Sequence, residues 1–451
     1  MTDALLIDPA SPALPASAGL HGDISLPGDK SISHRAVILA AVAHGQSRIR
    51  NCSLGGDNRS TIGAFQELGV EIAHDGTEAL VTGRGWDGLR APSKPLACGN
   101  SGTTTRLLCG VLSGRSFASR LDGDASLRRR PMSRVIDPLC QMGARITGED
   151  GTNRLPLHIH GLGPAQTLRS IDYRSPVASA QVKSAILLAG LQAQGTTQVW
   201  EPVRSRDHTE RLLGAFGGRV EVRDTTVSVA GRQRLHGCEL EVPGDLSSAA
   251  FFIGAGLIVP HSALRVCGVG VNPTRTGVLD IFQAMGAALR IENAREVGGE
   301  PVGDVVVHAS RLRGTRIDGD LVVRAIDEFP IIAVAAACAE GTTVIRGAQE
   351  LRVKESDRLQ MLAGALHALG VGVTELPDGL VIEGRAGSAQ PFRAARVSSG
   401  GDHRIAMALS VAGLRAAGPL ALDQASCVDI SFPGFYRVLQ ELSGVDIRAV
   451  R

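Results

Sequence analysis

The stretch Glu67–Ile72, with the sequence ELGVEI, ends an amphipathic helix and begins a strand, and variants of it occur six times along the chain. Their central glycines recur about every 70–80 residues. Repetition at a fixed period indicates one supersecondary unit that is used again and again. The other five copies are QMGARI (Gln141–Ile146), AFGGRV (Ala215–Val220), AMGAALRI (Ala284–Ile291), ALGVGV (Ala368–Val373) and LSGVDI (Leu442–Ile447).

Two kinds of helix precede each copy. The first is apolar all round, as in AVILAAVAHG (Ala36–Gly45), which is typical of a buried helix. The second is amphipathic, as in RLQMLAGALHALG (Arg358–Gly370), with its leucines on one face. Strand-like segments lie between them. The sequence therefore predicts six βαβαββ repeats, each with one helix inside and one outside.

A longer repeat indicates two domains. LPGDKS (Leu26–Ser31) and VPGDLS (Val242–Ser247) lie about three short repeats apart, as expected if a three-repeat domain had been duplicated. We expect residues 23–242 to form one domain from repeats 1–3. Residues 1–22 and 243–451 are expected to form the other, from repeats 4–6 and the N-terminal segment. Two connections would then cross a cleft, in which we expect the active site.

Composition excludes several classes of function. The 451 residues are 43% hydrophobic and 20% charged with a net charge of +2, so no long-range field attracts nucleic acid or membranes. No apolar run is long enough to span a bilayer. The eight scattered cysteines form no CxxC pair, and the first twenty residues resemble no targeting peptide, so we expect a cytoplasmic protein with reduced thiols. We expect neither a metal nor another cofactor, since no metal-ligand cluster or dinucleotide fingerprint is found.

The repeats differ in the charges at their helix starts. PGDKSISHR (27–35) places Lys30, Ser31 and Arg35 in the first turns of a helix. Cations there oppose the helix dipole, and a bound anion would reverse this effect, although a solvated helix start is the alternative. CGNSGTTTRL (98–107) offers Asn100, Gly102 and backbone N–H groups to a phosphate, or forms a simple capped loop.

Three more motifs of the first half carry candidate residues. In DASLRRRPMSR (124–134), Arg130 precedes Pro131 at an expected helix start, whereas the other arginines suit a solvated face. SPVASAQVKSA (175–185) places Ser179, Ala180 and Gln181 ahead of an apolar helix, where Ser179 also suits an N-cap. RSRDHTERLL (204–213) starts an outer helix with Arg206.

The second half supplies carboxylates as well as cations. Asp327 lies at the start of a strongly apolar helix, where a carboxylate is favourable and is also a candidate general base. In LRVKESDRL (351–359), Lys354 and Arg358 are expected on one helix face, where a bound anion would relieve their repulsion, with Glu355 between them. Arg404 follows a glycine pair before the sixth buried helix. Cations in both halves indicate a strongly anionic ligand pair.

In this order, the motifs resemble the 5-enolpyruvylshikimate-3-phosphate synthase family over essentially the whole chain, and RVKESDRL and SRDHTE are similar to its class II branch. The resemblance implies an α/β fold of two domains, each an inside-out barrel of three βαβαββ repeats with helices inside and sheets outside. It also implies transfer of the enolpyruvyl group of phosphoenolpyruvate to the 5-hydroxyl of shikimate 3-phosphate. Phosphate is released, and the product leads to chorismate and aromatic amino acids. We expect a monomer.

The resemblance assigns residues to each substrate. Asp327 is the expected base toward the 5-hydroxyl, and Lys30 and Glu355 are both candidates for proton delivery and return. Phosphoenolpyruvate is expected to meet Lys30, Asn100, Gly102, Arg130, Gln181, Arg358 and Arg404. Shikimate 3-phosphate is expected to meet Lys30, Ser31, Arg35, Ser179, Ala180, Gln181, Arg206, Asp327 and Lys354.

Two departures from the family matter, and two alternatives remain. Ile430 stands where many class I members have a lysine, and Gly102 stands where some glyphosate-tolerant members have alanine, so we expect inhibition by glyphosate. A UDP-N-acetylglucosamine enolpyruvyl transferase would share the fold and the donor, but its reactive cysteine is replaced by Ala125. A non-enzymatic repeat scaffold that binds nucleic acid or other anions would need a broad basic face around Arg128–Arg130.

Overall fold

The computed structural model of the protein describes residues 3–9, 19–163 and 166–450, so parts of the expected segment 1–22 lie outside the described residues. The helices of the described residues are α1 Lys30–Val42, α2 Gly56–Glu67, α3 Gly102–Leu112, α4 Ala125–Arg129, α5 Ser133–Gln141, α6 Ala180–Gly190, α7 His208–Ala215, α8 Leu246–Ile258, α9 Gly277–Ala284, α10 Asp320–Arg324, α11 Phe329–Ala337, α12 Arg358–Ala368, α13 His403–Gly413 and α14 Phe435–Ser443. No helix in these ranges is long and apolar enough to cross a membrane.

The strands are short and numerous. They are β1 Ala4–Asp8, β2 His21–Ser25, β3 His44–Arg50, β4 Glu71–Asp75, β5 Glu78–Arg84, β6 Leu96–Ala97, β7 Ser119–Asp122, β8 Arg145–Gly148, β9 Leu157–His160, β10 Asp172–Arg174, β11 Thr196–Trp200, β12 Val220–Arg223, β13 Thr226–Ala230, β14 Glu239–Glu241, β15 Ala263–Gly270, β16 Ala288–Val297, β17 Glu300–His308, β18 Arg316–Ile317, β19 Thr342–Ile345, β20 Val373–Leu376, β21 Gly379–Glu383, β22 Ala395–Ser398, β23 Leu420–Asp423 and β24 Asp446–Ala449.

The strands form six four-stranded sheets of one topology. In each sheet of the described residues the first two strands are parallel, and in four of the six sheets a βαβ connection joins them. The strands that follow pair in the antiparallel sense, as in β11-β13-β12 and β3-β5-β4. The six predicted repeats thus correspond to six sheets. Their strand orders are β14-β3-β5-β4, β6-β7-β9-β8, β10-β11-β13-β12, β2-β15-β17-β16, β18-β19-β21-β20 and β22-β23-β1-β24.

The chain divides into two compact units, and each has its own hydrophobic core. We call residues 27–243 with 296–300 unit N, and residues 1–26, 244–295 and 301–451 unit C. The first helix of each repeat is deeply buried; α8 and α11 are buried from end to end. The second helices bury one face only, as α5 does. In unit N, α3 packs on α6, and in unit C, α11 packs on α8 and α13.

The expected domain boundaries need correction because two strands pair with sheets whose other strands are distant from them in sequence. Strand β2 pairs in parallel with β15, placing Ile24 beside Val266, so residues 23–25 belong to unit C rather than to the domain 23–242. Strand β14 pairs in parallel with β3 and supplies the first strand of repeat 1 from the far end of unit N. A repeat pattern alone does not reveal which of two equivalent strands pairs with which sheet.

The N-terminal strand completes the sixth repeat. Strand β1 lies between β23 and β24 and is antiparallel to both, with Ile7 opposite both Leu420 and Ile447. In repeat 6 the strand between β23 and β24 therefore comes from the beginning of the chain. The expected βαβαββ unit is complete in the folded protein, although its last strand does not follow the others in sequence.

The central glycines of the closing motif have a common backbone role. Each follows the end of a second helix or its C-cap, and all six have a positive φ, between 61° at Gly444 and 102° at Gly143. Side chains other than glycine rarely adopt this conformation, which ends a helix by satisfying its last carbonyl groups. The six-fold motif is therefore a repeated helix stop.

Candidate active site

In unit N, the start of α1 holds the first candidate cation. The Asp29 side chain accepts a hydrogen bond from the backbone N–H of Ile32 at 2.9 Å, as an N-cap does. Lys30 then turns to the first turn of α2, where its Nζ lies 3.0 Å from Oδ2 of Asp57. Asp57 is buried, so this pair fixes the position of the Lys30 ammonium. Asp57 was not singled out from the sequence, since it is an ordinary helix-start carboxylate there.

Arg35 lies one turn further along α1 and is buried, with 4% of its surface exposed. Its guanidinium donates only to neutral acceptors, and no carboxylate of the described residues lies within ion-pair distance. Burial lowers the pKa of Arg35 to about 10, so the group stays charged at neutral pH. Its acceptors are Thr209 Oγ1 (2.8 Å), Ser184 Oγ (2.8 Å), the Ser31 carbonyl (3.0 Å) and the Ala180 carbonyl (3.5 Å).

Asn100 and Arg130 are brought together beside the start of α3. Arg130 donates to Asn100 Oδ1 at 2.8 Å, and Asn100 in turn donates to Asp124 at 2.7 Å. Of the three successive arginines, Arg130 is buried, whereas Arg128 is exposed and pairs with Asp122 at 2.6 Å. Arg128 and Arg129 are exposed, as expected for a solvated face, and Arg130 alone of the three is buried.

The geometry around Pro131 differs from the expectation. Helix α4 ends with Arg130 as its C-cap, and α5 begins at Ser133 with Met132 as its N-cap. Pro131 thus lies between two helices rather than at the first position of one. The short helix α4 forms because Asp124 caps it at Leu127, a feature that a three-arginine run conceals.

Gly102 lies at the first position of α3, next to two guanidinium groups. A Cβ at this position would lie 2.6 Å from Nη1 of Arg106 and 3.1 Å from Nη1 of Arg130. Both contacts are the ends of flexible side chains, so an added methyl group would displace them. The absence of a side chain at residue 102 therefore sets the position of two cations.

Arg106 joins Gln181 to this cluster and was missed in the sequence. Its Nη1 donates to Gln181 Oε1 at 2.7 Å, and Gln181 Nε2 donates to Thr103 Oγ1 at 2.9 Å. The pairing follows from the packing of α3 on α6. The signal that was available is the position of Arg106, a cation in the second turn of an otherwise buried helix.

The other candidates of unit N lie at the starts of α6 and α7. Ser179 is the N-cap of α6, its Oγ accepting from the N–H of Val182 at 3.4 Å. Ala180 is the first residue of this helix, and its carbonyl accepts from Arg35. Arg206 is partly exposed and lies two residues before α7.

In unit C, Asp327 lies between two arginines. Its Oδ1 is 3.5 Å from Nη1 of Arg358, and its Oδ2 is 3.8 Å from Nη2 of Arg404. Arg404 also donates to the Asp327 carbonyl at 3.3 Å. The Asp327 side chain remains 16% exposed, so a ligand can reach a carboxylate held between two cations.

Arg358 is held by carboxylates on several sides. Its Nε donates to Asp402 at 2.8 Å and its Nη2 donates to Glu355 at 2.6 Å, while only 1% of the side chain is exposed. These carboxylates raise the pKa of Arg358 against the effect of burial. Glu355, at 20% exposure, is the more accessible of the two partners.

The expected helical relation of Lys354 to Arg358 is wrong. Helix α12 begins at Arg358, and Lys354 lies in the extended segment after the short 3₁₀ helix Gln349–Val353. Asp357 caps α12 through the N–H of Gln360, which stops the helix from reaching back to Lys354. The two cations therefore do not share a helix face.

Glu328 follows Asp327 and is a further carboxylate at the start of α11. It is fully buried and accepts a hydrogen bond from Ser247 at the start of α8. Arg275 lies 3.7 Å from the same oxygen and donates to Ser247 at 2.7 Å. Ile430 is the last residue of the 3₁₀ helix Ala425–Ile430 and is partly exposed.

Comparisons with known proteins show the family of the chain. Residues 15–439 match the model of the EPSP synthase (3-phosphoshikimate 1-carboxyvinyltransferase) family. The chain belongs to this family. The 3-phosphoshikimate 1-carboxyvinyltransferase of Synechococcus sp. is 53% identical over 435 residues, covering 95% of this chain and 96% of that one. The enzyme of that name from Geobacter metallireducens is 51% identical over 425 residues, covering 94% and 97%.

Solved structures agree in fold. The EPSP synthase of Acinetobacter baumannii superposes with a TM-score of 0.87 at 43% identity, covering 99% of this chain and 100% of that one. The enolpyruvyl transferase NikO from Streptomyces tendae superposes with a TM-score of 0.77 at 21% identity, which shows a shared fold. The predicted family and the two-domain, inside-out α/β fold are confirmed, and the protein is a transferase. The two alternatives, a UDP-N-acetylglucosamine enolpyruvyl transferase and a nucleic-acid-binding scaffold, are not supported.

Proposed function

We propose that the cations of units N and C hold phosphoenolpyruvate and shikimate 3-phosphate for one reaction. As a member of its family, the chain transfers the enolpyruvyl group of phosphoenolpyruvate to the 5-hydroxyl of shikimate 3-phosphate and releases phosphate, on the route to chorismate and aromatic amino acids. The residues of this chain that carry out the transfer are our assignment, and the expected cleft between the domains stays a prediction.

One observation carries the assignment of the shikimate 3-phosphate residues. Arg35 is a buried cation with neutral partners, so unit N keeps a positive charge that a phosphate group can neutralise. Ser31 and Ala180 provide backbone acceptors to the same guanidinium, which places their helix starts around it. We therefore assign Lys30, Ser31, Arg35, Ser179, Ala180, Gln181 and Arg206 of unit N, with Asp327 and Lys354 of unit C, to this substrate.

Phosphoenolpyruvate is assigned to the remaining cations. Gly102 leaves the guanidinium groups of Arg106 and Arg130 close to the start of α3, where backbone N–H groups also favour an anion. Arg358 and Arg404 supply positive charge from unit C. The full set is Lys30, Asn100, Gly102, Arg130, Gln181, Arg358 and Arg404. Glyphosate, an anion competing with this substrate, inhibits the enzyme because residue 102 carries no methyl group to exclude it.

Asp327 is assigned as the base. It removes the proton of the 5-hydroxyl while that oxygen attacks the central carbon of phosphoenolpyruvate and the methylene carbon gains a proton. The tetrahedral ketal phosphate then loses a methyl proton and phosphate, which restores the vinyl group. Arg358 and Arg404 lie on both sides of the Asp327 carboxylate and stabilise the phosphate that leaves.

Lys30 and Glu355 are the two candidates for delivering and retrieving the methylene proton. Each lies beside a group of opposite charge, Lys30 beside Asp57 at 3.0 Å and Glu355 beside Arg358 at 2.6 Å. The two residues are both kept as candidates for the proton donor of the first step.

The setting of the enzyme is proposed as well. All eight cysteines are free, and burial raises the pKa of Cys52 and Cys98 to about 11, which suits reduced thiols in the cytoplasm. We propose that the enzyme works there as a monomer, since each unit has a hydrophobic core of its own.

A phosphate-release assay tests the function directly. The purified chain is mixed with phosphoenolpyruvate and either shikimate 3-phosphate or UDP-N-acetylglucosamine. We expect phosphate release with shikimate 3-phosphate alone. Release only with the sugar nucleotide, or with neither acceptor, would contradict the proposal. Glyphosate is added in a second series, and inhibition should weaken as phosphoenolpyruvate is raised.

A further inference from the structure

A buried group of three charged residues lies behind the starts of α6 and α7. Lys183 Nζ is 3.0 Å from Oε2 of Glu201 and 2.8 Å from Oε1 of Glu210. The exposed fractions of the three side chains are 1%, 2% and 4%. The two carboxylates raise the pKa of Lys183 against the effect of burial, so the lysine is an ammonium ion. None of the three has been assigned to a substrate.

Stability alone is a weak reason for such a group. Removing charges from water costs several kcal/mol per ion, and well-packed apolar residues often replace a buried ion pair without loss. Glu210 even keeps one oxygen, Oε2, without a hydrogen-bond partner. A buried ion cluster is better explained where its charges hold neighbouring groups in a required geometry.

The two oxygens of Glu201 hold two segments of the proposed shikimate 3-phosphate site. Oε1 accepts from the backbone N–H of Ser179 at 2.8 Å, directly before α6. Oε2 accepts from Ser205 Oγ at 2.8 Å and from the Ser205 N–H at 3.3 Å, directly before Arg206. Lys183 adds a contact to the Ser205 carbonyl at 3.4 Å.

The other carboxylate has no such role. Glu210 lies on α7 and contacts Lys183, and within the described part of the chain it makes no hydrogen bond to a proposed substrate residue, although its charge raises the pKa of Arg35 against the effect of burial. Its neighbour Thr209 is the residue that accepts from Arg35. Glu201 and Glu210 thus contact the same lysine and are buried to a similar degree. They differ because only Glu201 accepts hydrogen bonds from segments of the proposed site.

We propose that Glu201 is a positioning residue for shikimate 3-phosphate, an inference that rests on the proposed function. Its carboxylate fixes Ser179 and the segment that carries Arg206 at the spacing that the substrate requires, and Lys183 holds that carboxylate through an ion pair. Glu201 itself does not touch the substrate. Glu210 balances the charge of Lys183 and leaves the spacing unchanged.

Glu201→Gln and Glu210→Gln form a matched pair for the test. Each removes one negative charge from the same lysine and leaves one intact carboxylate beside it. A glutamine at 201 has a single carbonyl oxygen, so it cannot accept on both the Ser179 and the Ser205 side. We expect Glu201→Gln to raise the KM for shikimate 3-phosphate about tenfold, with kcat and the KM for phosphoenolpyruvate within about twofold of the parent. Glu210→Gln should leave all three constants within about twofold.

Melting temperatures and equilibrium titration with shikimate 3-phosphate complete the experiment. Equal changes in the two variants, or an equal rise in the KM for both substrates, would overturn the inference, because a structural role affects both variants alike. If Glu201→Gln fails to fold, Ser205→Ala replaces it. That variant keeps all three charges and is expected to weaken shikimate 3-phosphate binding about threefold, and unchanged binding would overturn the inference.

Assays of the parent chain distinguish a failure of this inference from a failure of the proposed function. Phosphate release by the parent with shikimate 3-phosphate, together with equal behaviour of Glu201→Gln and Glu210→Gln, would leave the proposed function standing and remove the inference. No release by the parent would overturn the proposed function, and the inference with it.

Discussion

Arg35 in unit N and Arg358 in unit C are both buried arginines near helix starts, yet their surroundings are opposite. Arg35 donates to two hydroxyls and two carbonyls. Arg358 faces Asp402, Glu355 and Asp327. Burial lowers the pKa of Arg35, whereas the carboxylates raise that of Arg358. Unit N therefore has positive charge to offer a ligand, and unit C has most of its charge already compensated.

This difference assigns different tasks to the two units. A cation whose hydrogen-bond partners are all neutral gains from a phosphate group, because a direct ion pair is strong in a site of low dielectric. Asp327 gives unit C a carboxylate between two guanidinium groups, and a carboxylate can accept a proton. We infer that unit N chiefly binds shikimate 3-phosphate and that unit C chiefly supplies the base. The four predictions below test this division.

The largest effect is expected at Asp327. Asp327→Ala removes the proposed base, so kcat should fall about 10²-fold to 10⁴-fold, measured by phosphate release. The fold and substrate binding should be retained, because Arg358 keeps Asp402 and Glu355 as partners. Asp327→Asn serves as a control of similar shape, and it should be as slow as the alanine variant. Near-normal turnover in either variant would exclude Asp327 as the base.

Arg35→Gln tests the cation of unit N. Loss of this charge should raise the KM for shikimate 3-phosphate about 100-fold while the KM for phosphoenolpyruvate changes less. Arg115→Gln is a matched control, since Arg115 also has a pKa lowered by burial and donates to Gln192 and to the Trp86 carbonyl. It contacts no proposed substrate residue. Similar KM values for both variants would show that the loss is structural.

A smaller effect is expected at Gly102. In Gly102→Ala, the added Cβ displaces the guanidinium of Arg106, which lies 2.6 Å from its position. We expect the KM for phosphoenolpyruvate to rise about fivefold to tenfold, with weaker inhibition by glyphosate. Gly63→Ala is the control, because a Cβ there has no neighbour within 4 Å. Unchanged constants in Gly102→Ala would contradict the role given to this glycine.

The smallest effect is a pH dependence that comes from His34. Burial first, and then Lys30 and Arg35, hold the pKa of His34 well below 6.5, against the opposing charge of Asp29. The unfolded chain therefore binds a proton at His34 at a higher pH than the folded chain does. Stability should fall as the pH drops below 6.5, by about 1 kcal/mol at pH 5.5.

Thermal melting between pH 7.5 and 5.5 checks this prediction. His34→Asn removes the titrating group and should lose less of its melting temperature over that range than the parent. An equal loss in the two proteins would show that protonation of His34 is not the cause of the lost stability.

Much of the fold could be predicted from the sequence because its signals are local. Each repeat of about 70 residues contains an apolar helix, then an amphipathic helix, then a glycine. These features predict the six repeats and most helix starts. The exchange of β2 and β14 between sheets is not a local property. Two equivalent strands carry the same pattern, and only their pairing distinguishes them.

The candidate site was also predictable only where its signals are local in sequence. Lys30, Arg35 and Arg358 are conspicuous because cations at helix starts are unfavourable without a partner. Asp57 and Glu201 were not found, since each holds a residue that is more than 20 positions away in sequence. Lys354 was placed on a helix because its spacing to Arg358 fits one, whereas the cap at Asp357 begins the helix later.

The division between the units is tested most directly by equilibrium titration of shikimate 3-phosphate into Asp327→Asn and Arg35→Gln. We predict that Asp327→Asn binds this substrate within about threefold of the parent Kd, although it is nearly inactive, and that Arg35→Gln binds it about 100-fold more weakly. Loss of binding in Asp327→Asn together with parent-like binding in Arg35→Gln would contradict the account.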